Sequence, residues 1–451
     1  MNESTAPTLL ERLRQLASSV VRGDRPLFAM FQTMGTQGLI LCANLGTGVI
    51  MARLLGPQGR GEFAAISIWP QLLAMAATAG LNGAIVFRMR RSAAESGAAG
   101  SVIGAALLSG CALSLLAAVA GAMLIPGLLT QYPPSAVLFA QLCLVSVLVN
   151  SVSLIIKQSY TGAGEYGRSN FTNLLPQVLH LFVLIGFWWF GTLTAQNAVL
   201  SLLGTGLVAL LIVLPGFMRR LRPTLRGAWR ELPALLSYSG RGSLNDLVFT
   251  AAFFLDRLVL IPLLSPAQLG LYAVAFSFSR IIQLAQTAVM SVFLSHLSGR
   301  DPAEGKRLHD HTLRYLLTGM LLACVALWLV GEWLLTFAFG AEFAAANWIF
   351  RLLVIEAALS VLSQVSVQLF LAHDRPGVVS TLQVATLGLS LLCLIILVPR
   401  YGAIGAAAAL LIAGVARWFA LIVAIRQVLG LPLPRLLLNR EDLRYMSGKL
   451  R

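Results

Sequence analysis

Charged and amide side chains that lie inside otherwise apolar stretches are the residues of this sequence most able to do chemistry. Five arginines and one amide of this kind fall in the second half of the chain, and they are Arg241, Asn245, Arg257, Arg280, Arg351 and Arg417. A guanidinium group donates two parallel hydrogen bonds in a geometry that matches phosphate. The set therefore indicates a cationic cavity for an anionic headgroup. Structural ion pairs, or side chains that extend to a membrane surface, are the alternative.

Three carboxylates share these stretches, and they are Asp246, Asp256 and Glu356. In apolar surroundings they are candidates for binding H⁺ or Na⁺, and a role in helix packing is the alternative for each. Asp256 and Arg257 are adjacent, so on a helix their side chains point about 100° apart and each needs a partner elsewhere. Arg241 and Asn245 are four residues apart and share one helix face.

The first half of the chain carries a different set of polar groups. Between residues 26 and 235 its acids fall at predicted helix ends or in loops, and they are Glu62, Glu95, Glu165 and Glu231. Its deeper polar groups are amides, namely Gln32, Asn44, Gln71, Asn82, Asn150 and Asn173. A polar centre is therefore expected in the segments 236–263 and 269–297, facing the first half.

Sequence motifs for common catalytic and cofactor sites are missing. No G-x-x-x-x-G-K-[ST], H-E-x-x-H or paired C-x-x-C pattern occurs, and the five cysteines are scattered singly. We therefore expect no catalytic residues, no metal site and no cofactor, and we do not expect an enzyme.

The composition indicates the class of element that must position these groups. The 451 residues are 57% hydrophobic and 11% charged, whereas soluble domains average about 25% charged residues. The surplus of apolar surface predicts an all-α membrane protein of about twelve helices, since one pass needs roughly 20 apolar residues. We place them at about 29–53, 61–87, 98–128, 135–160, 170–190, 194–217, 236–263, 269–297, 313–339, 346–372, 377–399 and 403–429.

The distribution of basic residues predicts the orientation of these helices. Every second connection between the predicted helices, together with the two termini, carries basic residues, and these number twenty-five Lys and Arg in total. The connections on the other side carry Arg53, Arg60 and Arg400. Basic residues favour the cytoplasmic side, so both termini are expected there. The net charge of +15 is thus a topology signal, and it does not indicate nucleic acid as a partner.

An internal repeat divides the chain into two parts. Leu-Leu-Gly-Pro at 54–57 matches Leu-Leu-Ser-Pro at 263–266, and further pairs follow at offsets of 210 and 211. The repeat unit holds six helices, which predicts two lobes related by a pseudo-two-fold axis along the membrane normal. The expected organisation is a cytoplasmic N-terminal segment (1–26), an N-lobe (27–217), a basic cytoplasmic linker (218–235), a C-lobe (236–430) and a cytoplasmic C-terminal tail (431–451).

Several short motifs in order carry a family resemblance over roughly residues 27–430. Arg-Leu-Leu-Gly-Pro at 53–57 with Gly-Glu-Phe at 61–63 resembles the first inter-helix turn of Wzx-type polysaccharide flippases. These belong to the multidrug/oligosaccharidyl-lipid/polysaccharide (MOP) exporter superfamily. Asp-Arg at 256–257, Leu-Leu-Ser-Pro at 263–266 and Tyr-Gly at 401–402 resemble later segments of the same family.

The resemblance implies two six-helix lobes around a central cavity in the bacterial inner membrane. It also implies movement of undecaprenyl diphosphate-linked oligosaccharide from the cytoplasmic to the periplasmic leaflet, with membrane lipids and other polysaccharide assembly proteins as partners. Arg241, Arg257 and Arg280 would then contact the diphosphate. The alternatives are an H⁺- or Na⁺-coupled drug or cation antiporter of the same superfamily, a membrane-embedded polysaccharide polymerase or ligase, and a non-transporting scaffold.

Overall fold

A computed structural model describes residues 26–95, 99–130, 132, 134–283, 302–373 and 375–433. Within these ranges, side chains are described except at 26–31, 92–95, 135, 241–253, 255, 302–307 and 376. The predicted N-terminal segment (1–26) and C-terminal tail (431–451) lie almost wholly outside the described residues. So does the second part of the predicted eighth helix.

The described chain is built from α-helices joined by short turns. They are α1 Pro26–Ala77, α2 Leu81–Glu95, α3 Ala99–Leu128, α4 Pro134–Leu142, α5 Val145–Gly162, α6 Tyr166–Phe190, α7 Ala195–Leu221, α8 Ala228–Leu263, α9 Pro266–Ser279, α10 Pro302–Phe339, α11 Asn347–Ala372 and α12 Pro376–Leu429. Two 3-10 turns, Arg280–Gln283 and Ala341–Ala346, follow α9 and precede α11.

Eight helical stretches of the described residues are long and apolar enough to cross a membrane. Two of them, in α1 and α12, are bent at a glycine with positive φ, namely Gly56 (φ 64°) and Gly402 (φ 56°). Glycine adopts this backbone conformation without the steric strain that a β-carbon introduces. Each bent stretch crosses the membrane twice, so the eight stretches give ten passes. Helices α8 and α9 supply the seventh and eighth passes, which brings the total to twelve. The predicted twelve helices are therefore confirmed.

Contacts on either side of each bend show that the chain reverses there. A β-carbon at Gly405 would overlap the carbonyl group of Leu397, although eight residues of straight helix would hold them about 12 Å apart. In α1, Gly46 lies against Leu181 while the Phe63 ring stacks on the neighbouring His180 ring at 6.5 Å. The segments 26–55 and 57–77 are therefore antiparallel arms of α1, and 376–401 and 403–429 are the arms of α12.

The buried core defines two ends of the molecule. The largest core cluster contains residues of both halves, such as Met51 and Phe63 from α1 with Leu264 and Leu269 from the second half. This joined end, which includes the turns at Gly56, Leu264 and Gly402, is called the closed end below.

The opposite end has a separate core in each half. One cluster of the described residues is formed by α2, α3, α5 and α7 with the start of α8, and another is formed by α11 and α12. This end is called the open end. The halves also touch at this end, where the start of α8 packs on α2 through the Arg88–Glu231 ion pair and the Phe87–Tyr238 ring stack at 4.7 Å. Because their shared core lies at the closed end, the molecule has the form of a V that widens towards the open end.

A crossing of two repeat-related glycines joins the halves at the closed end. A β-carbon at Gly61 would overlap the carbonyl of Pro266, and one at Gly270 would overlap the carbonyl of Pro57. Gly61 and Gly270 are equivalent in the repeat, as are Pro57 and Pro266. The contact is therefore self-complementary, and the absence of side chains lets the two backbones approach directly, as small residues do between membrane helices.

A second contact between the halves at this end is made by Arg53, in the last turn of the first arm of α1. Its guanidinium donates hydrogen bonds to the carbonyl oxygens of Phe337 and, at 2.8 Å, Ala338. These carbonyls end α10 and have no intrahelical partner, and a cation at a helix C-terminus is favoured by the helix dipole. Arg53 thus caps a helix of the opposite half.

Two predicted boundaries differ from the structure at the open end. The predicted linker (218–235) is partly helical, because α7 continues to Leu221 and α8 begins at Ala228. Its irregular part is held on the first half, where the Thr224 amide donates to the Gly100 carbonyl at 3.0 Å. The ninth pass begins at Pro302 instead of 313. Lys157 is one of the twenty-five basic residues that the sequence analysis assigned to this side. It lies in α5 and donates to Asn173 Oδ1 at 3.2 Å.

We expect Gly61→Ala and Gly270→Ala to destabilise the closed end, because each added methyl group meets a backbone carbonyl that has no room to move. Overpacking of this kind costs about 1–3 kcal/mol, so the melting temperature of the purified protein in detergent should fall. Gly48→Ala is the matched control, since a β-carbon there has nothing within 4 Å. The crossing is not a close-packed contact if all three variants melt at or above the wild-type temperature.

Candidate functional site

A cavity of about 700 Å³ lies between the two halves. Both arms of α1 line it together with α6 and α7 from the first half, and α8, α9, α11 and α12 line it from the second. Its charged lining residues among those described are Arg60, Asp256, Arg257, Arg280, Glu356 and Arg417. This polar space lies between membrane-spanning helices. Charged side chains of such helices normally face the interior of the bundle or a water-filled cavity.

Two cationic groups share one aromatic ring on the second half. The guanidinium carbon of Arg257 is 4.7 Å from the Phe276 ring centroid, and that of Arg280 is 4.2 Å from it. Arg257 comes from α8 and Arg280 follows directly after α9, so the chain reversal at Leu264 brings the two together. Contact with a ring face stabilises a guanidinium through the quadrupole of the ring.

An ion pair connects this ring to α11. Nη2 of Arg280 lies 2.9 Å from Oε2 of Glu356, and the two side chains are 21% and 13% exposed. The second arm of α12 packs against the same carboxylate, since a β-carbon at Gly414 would lie 3.5 Å from Cγ of Glu356. Arg417, one helical turn further along, also lines the cavity. Glu356 thus stands between two arginines.

Asp256 is held by a different partner. The hydroxyl of Tyr272 donates to Oδ2 of Asp256 at 3.3 Å, and the Tyr272 ring lies 5.8 Å from the Phe276 ring. The adjacent residues Asp256 and Arg257 therefore have separate partners, as the helix geometry predicts. Both of them line the cavity.

Arg60 is the cavity cation that the sequence interpretation missed. It was assigned to a connection, whereas the structure places it in the second arm of α1, with its guanidinium carbon 5.3 Å from the Phe63 ring centroid. Arg60 and Arg257 also line a smaller pocket of about 150 Å³ that adjoins the closed end between the halves. The run Gly-Pro-Gln-Gly-Arg-Gly at 56–61 is typical of a loop, but Pro57 can begin a helix because its first turn needs no N–H donor.

The first half also contributes His180 and several amides to the cavity. His180 is buried, and its Nδ1 lies 3.2 Å from the Ser201 hydroxyl. The amides that line the cavity from both halves are Asn44, Gln71, Gln177, Gln283, Gln364 and Gln383. Two of them, Asn44 and Gln71, were among the deep amides of the first half noted in the sequence.

The remaining predicted site residues are placed differently. Arg351 is not part of the described cavity lining, because its guanidinium lies between the Trp328 and Trp348 rings, at 5.4 and 5.0 Å. It also donates to the Trp328 carbonyl at 3.3 Å. Arg241, Asn245 and Asp246 belong to α8, but their side chains lie outside the described residues. Within the described part of the chain, no cluster of His, Cys, Asp and Glu could hold a metal ion.

Solved structures with this arrangement of helices are similar to the chain over most of its length. One is the lipid II flippase MurJ in an inward closed conformation, with a TM-score of 0.74 and 13% identity, covering 88% of this chain and 87% of that chain. A second is an inward-facing multidrug resistance MATE family transporter of the MOP superfamily, with a TM-score of 0.65 and 16% identity, covering 88% and 94%. The TM-scores show a common fold.

A third similar structure is a MATE transporter of Vibrio cholerae, with a TM-score of 0.57 and 18% identity, covering 91% of this chain and 98% of that chain. No curated protein sequence matches the chain. The family model described as polysaccharide biosynthesis protein matches residues 50–348. The resemblance drawn from the sequence motifs is therefore confirmed for family and fold, and this multi-pass membrane protein belongs to the polysaccharide biosynthesis protein family.

Proposed function

We propose that this protein is a transporter that carries an undecaprenyl diphosphate-linked oligosaccharide from the cytoplasmic to the periplasmic leaflet. The observation that carries the proposal is the convergence of Arg60 from the first half with Arg257, Arg280 and Arg417 from the second in one cavity. Placing charged groups at membrane depth is costly, and their convergence from both halves favours an anionic ligand that contacts both. A diphosphate provides oxygen atoms for several guanidinium groups at once.

The distribution of the buried core supports alternating access as the mechanism. The halves share a core at the closed end and have separate cores at the open end, so tilting one half against the other would reverse which end is open. The polar headgroup would then cross inside the cavity while its lipid tail stays in the bilayer. Domain movements of this kind around a fixed central site are common among transporters built from repeats.

The orientation follows from the basic residues of the open end. The helix ends there carry Arg88, Arg168, Arg219 and Arg220, among others, which favours a cytoplasmic open end in a bacterial inner membrane. Both chain termini would then be cytoplasmic.

A drug or cation antiporter is the second candidate, and two observations favour it. Asp256 and Glu356 are carboxylates in the cavity, and MATE transporters share the fold. The surplus of arginines in the described lining argues against it, because a cationic drug would be repelled. A polymerase or ligase receives less support, since the described closed-end connections are short turns with little room for catalytic groups.

We expect Arg257→Gln to lower the rate of translocation about tenfold or more, because a charge-assisted hydrogen bond contributes roughly 1.5–3 kcal/mol. The measurement is the appearance of a fluorescent lipid-linked oligosaccharide in the outer leaflet of vesicles that contain the purified protein. Arg219→Gln, at the end of α7 outside the cavity, is the control. Equal rates for the two variants at equal protein content would exclude a role for Arg257 in binding the headgroup.

The Arg280–Glu356 pair allows function to be separated from stability. Arg280→Gln leaves a largely buried carboxylate without its partner and should cost about 3 kcal/mol of stability. The double variant Arg280→Gln with Glu356→Gln should recover the melting temperature while translocation stays low, because the cation is still missing. If the double variant also recovers translocation, then Arg280 acts only in packing.

We expect reporter fusions to place the open end in the cytoplasm. A cytoplasmically active reporter should fluoresce when fused after Glu165 or Gly430, and a periplasmic phosphatase should be active when fused after Gly191 or Gly340. The reverse pattern would overturn the proposed direction of transport, although the cavity and its arginines would be unaffected.

A further inference from the structure

We propose that Arg53 and Glu342 form an ionic latch that holds the closed end shut and opens when the two halves tilt. This inference rests on the alternating access of the proposed function and adds the contact that has to break. It is carried by the reciprocal positions of the two charges at helix ends of the opposite half, by their exposure, and by the asymmetry of the latch within the repeat.

The first contact of the latch runs from the first half to the second. Arg53 lies in the last turn of the first arm of α1, and its guanidinium donates to the carbonyl oxygens of Phe337 and, at 2.8 Å, Ala338. These two carbonyls belong to the last turn of α10, where the helix dipole is negative. A cation of one half therefore lies at a helix C-terminus of the other.

The second contact runs in the opposite direction. Glu342 lies in the 3-10 turn that follows α10, and its Oε2 is 2.9 Å from the position that a β-carbon on Gly56 would occupy. Gly56 directly precedes Pro57, at which the second arm of α1 begins. A carboxylate is favoured at a helix N-terminus, because the dipole is positive there. Each half thus places a charge at a helix end of the other half.

The exposure of the two charges makes the latch reversible. Arg53 and Glu342 are both exposed at the surface of the closed end. Ionic contacts between exposed groups are individually weak, and salt screens them. Such contacts can favour the closed arrangement without preventing its opening. The glycine crossing is different, because it depends on close packing and is not expected to respond to salt.

The repeat shows that the latch is not a by-product of symmetric packing. Gly61 and Gly270 occupy equivalent positions, so the crossing is related to itself by the pseudo-two-fold axis. The position equivalent to Arg53 is Pro262, which carries no charge and cannot make the same contact from the second half. The latch can therefore be removed by mutation while the crossing stays intact.

Hydrogen–deuterium exchange of the full-length protein in lipid nanodiscs, without substrate, tests the latch. We expect Arg53→Gln to speed exchange about fivefold in closed-end peptides that cover 51–63 and 264–272, since the loss of a charge at a helix end costs about 1 kcal/mol or a factor of about 5. Exchange in α2, which borders the open end, should become slower, because tilting that opens one end closes the other.

Arg400→Gln is the matched control for this substitution. Arg400 is an exposed arginine at the same end, and it makes no hydrogen bond or ion pair with the first half among the described residues. Its loss should leave exchange at both ends unchanged. The latch is refuted if Arg53→Gln has no effect at the closed end, if it has the same effect as Arg400→Gln, or if it speeds exchange at both ends, which would indicate a role in overall stability alone.

Salt and a second variant test the ionic nature of the latch. Glu342→Gln should also speed exchange at the closed end. In about 1 M NaCl, where the screening length is about 3 Å, wild-type exchange there should approach that of the double variant Arg53→Gln with Glu342→Gln. The double variant itself should hardly respond to salt. If it responds as strongly as wild type, other charges hold the closed end and the latch is refuted.

The outcome can be separated from that of the proposed function. The exchange measurement contains no substrate, so it reports on the latch whatever the protein carries. A protein that shows the expected exchange pattern but does not translocate a lipid-linked oligosaccharide would refute the proposed function and retain the latch. A protein that translocates this substrate without the expected exchange pattern would refute the latch alone.

Discussion

The close approach of two backbones at Gly61 and Gly270 is the constraint on which the rest of the structure depends. Because neither residue has a side chain, the second arm of α1 can lie directly against α9, with each glycine opposite a carbonyl of the other helix. Lipid tails are as apolar as leucine, so membrane helices associate through such close packing more than through a hydrophobic driving force. Arg53 strengthens the same end by capping α10.

Joining the halves at one end determines where the polar groups meet. The repeat gives both halves the same six-pass plan, and the crossing relates them through equivalent residues. Each half keeps its own core at the open end, so the passes diverge and leave a cavity between them. The charged and amide side chains of both halves line this cavity, where they avoid contact with lipid tails.

Within the cavity, the second half holds its charges in a connected network. Phe276 lies against Arg257 and Arg280, Arg280 pairs with Glu356, and Tyr272 donates to Asp256. A buried ion pair contributes little net stability because both charges lose hydration, so a network of this size is expensive to keep for packing alone. Under the proposed function, an incoming anion would compete with Glu356 for Arg280, and this would link ligand binding to the position of α11.

The sequence by itself determined the features that depend on neighbouring residues along the chain. Runs of apolar residues gave the twelve passes, the spacing of the Leu-Leu-Gly-Pro and Leu-Leu-Ser-Pro motifs gave the two halves, and isolated charges marked α8 and α9 as polar. These features are local, because the length of an apolar run decides whether it crosses a bilayer whatever its partners are.

Only the tertiary structure decided which of these charges share a site. Arg60 and Arg351 show the difference, since one was assigned to a connection and lines the cavity, while the other was a cavity candidate and lies between two tryptophans. The pairing of Arg280 with Glu356, seventy-six residues away, likewise follows from how the helices pack. The physical reason is that the hydropathy of a pass shows that it is buried in the membrane, whereas the direction of each side chain depends on helix rotation and on neighbours from distant parts of the chain.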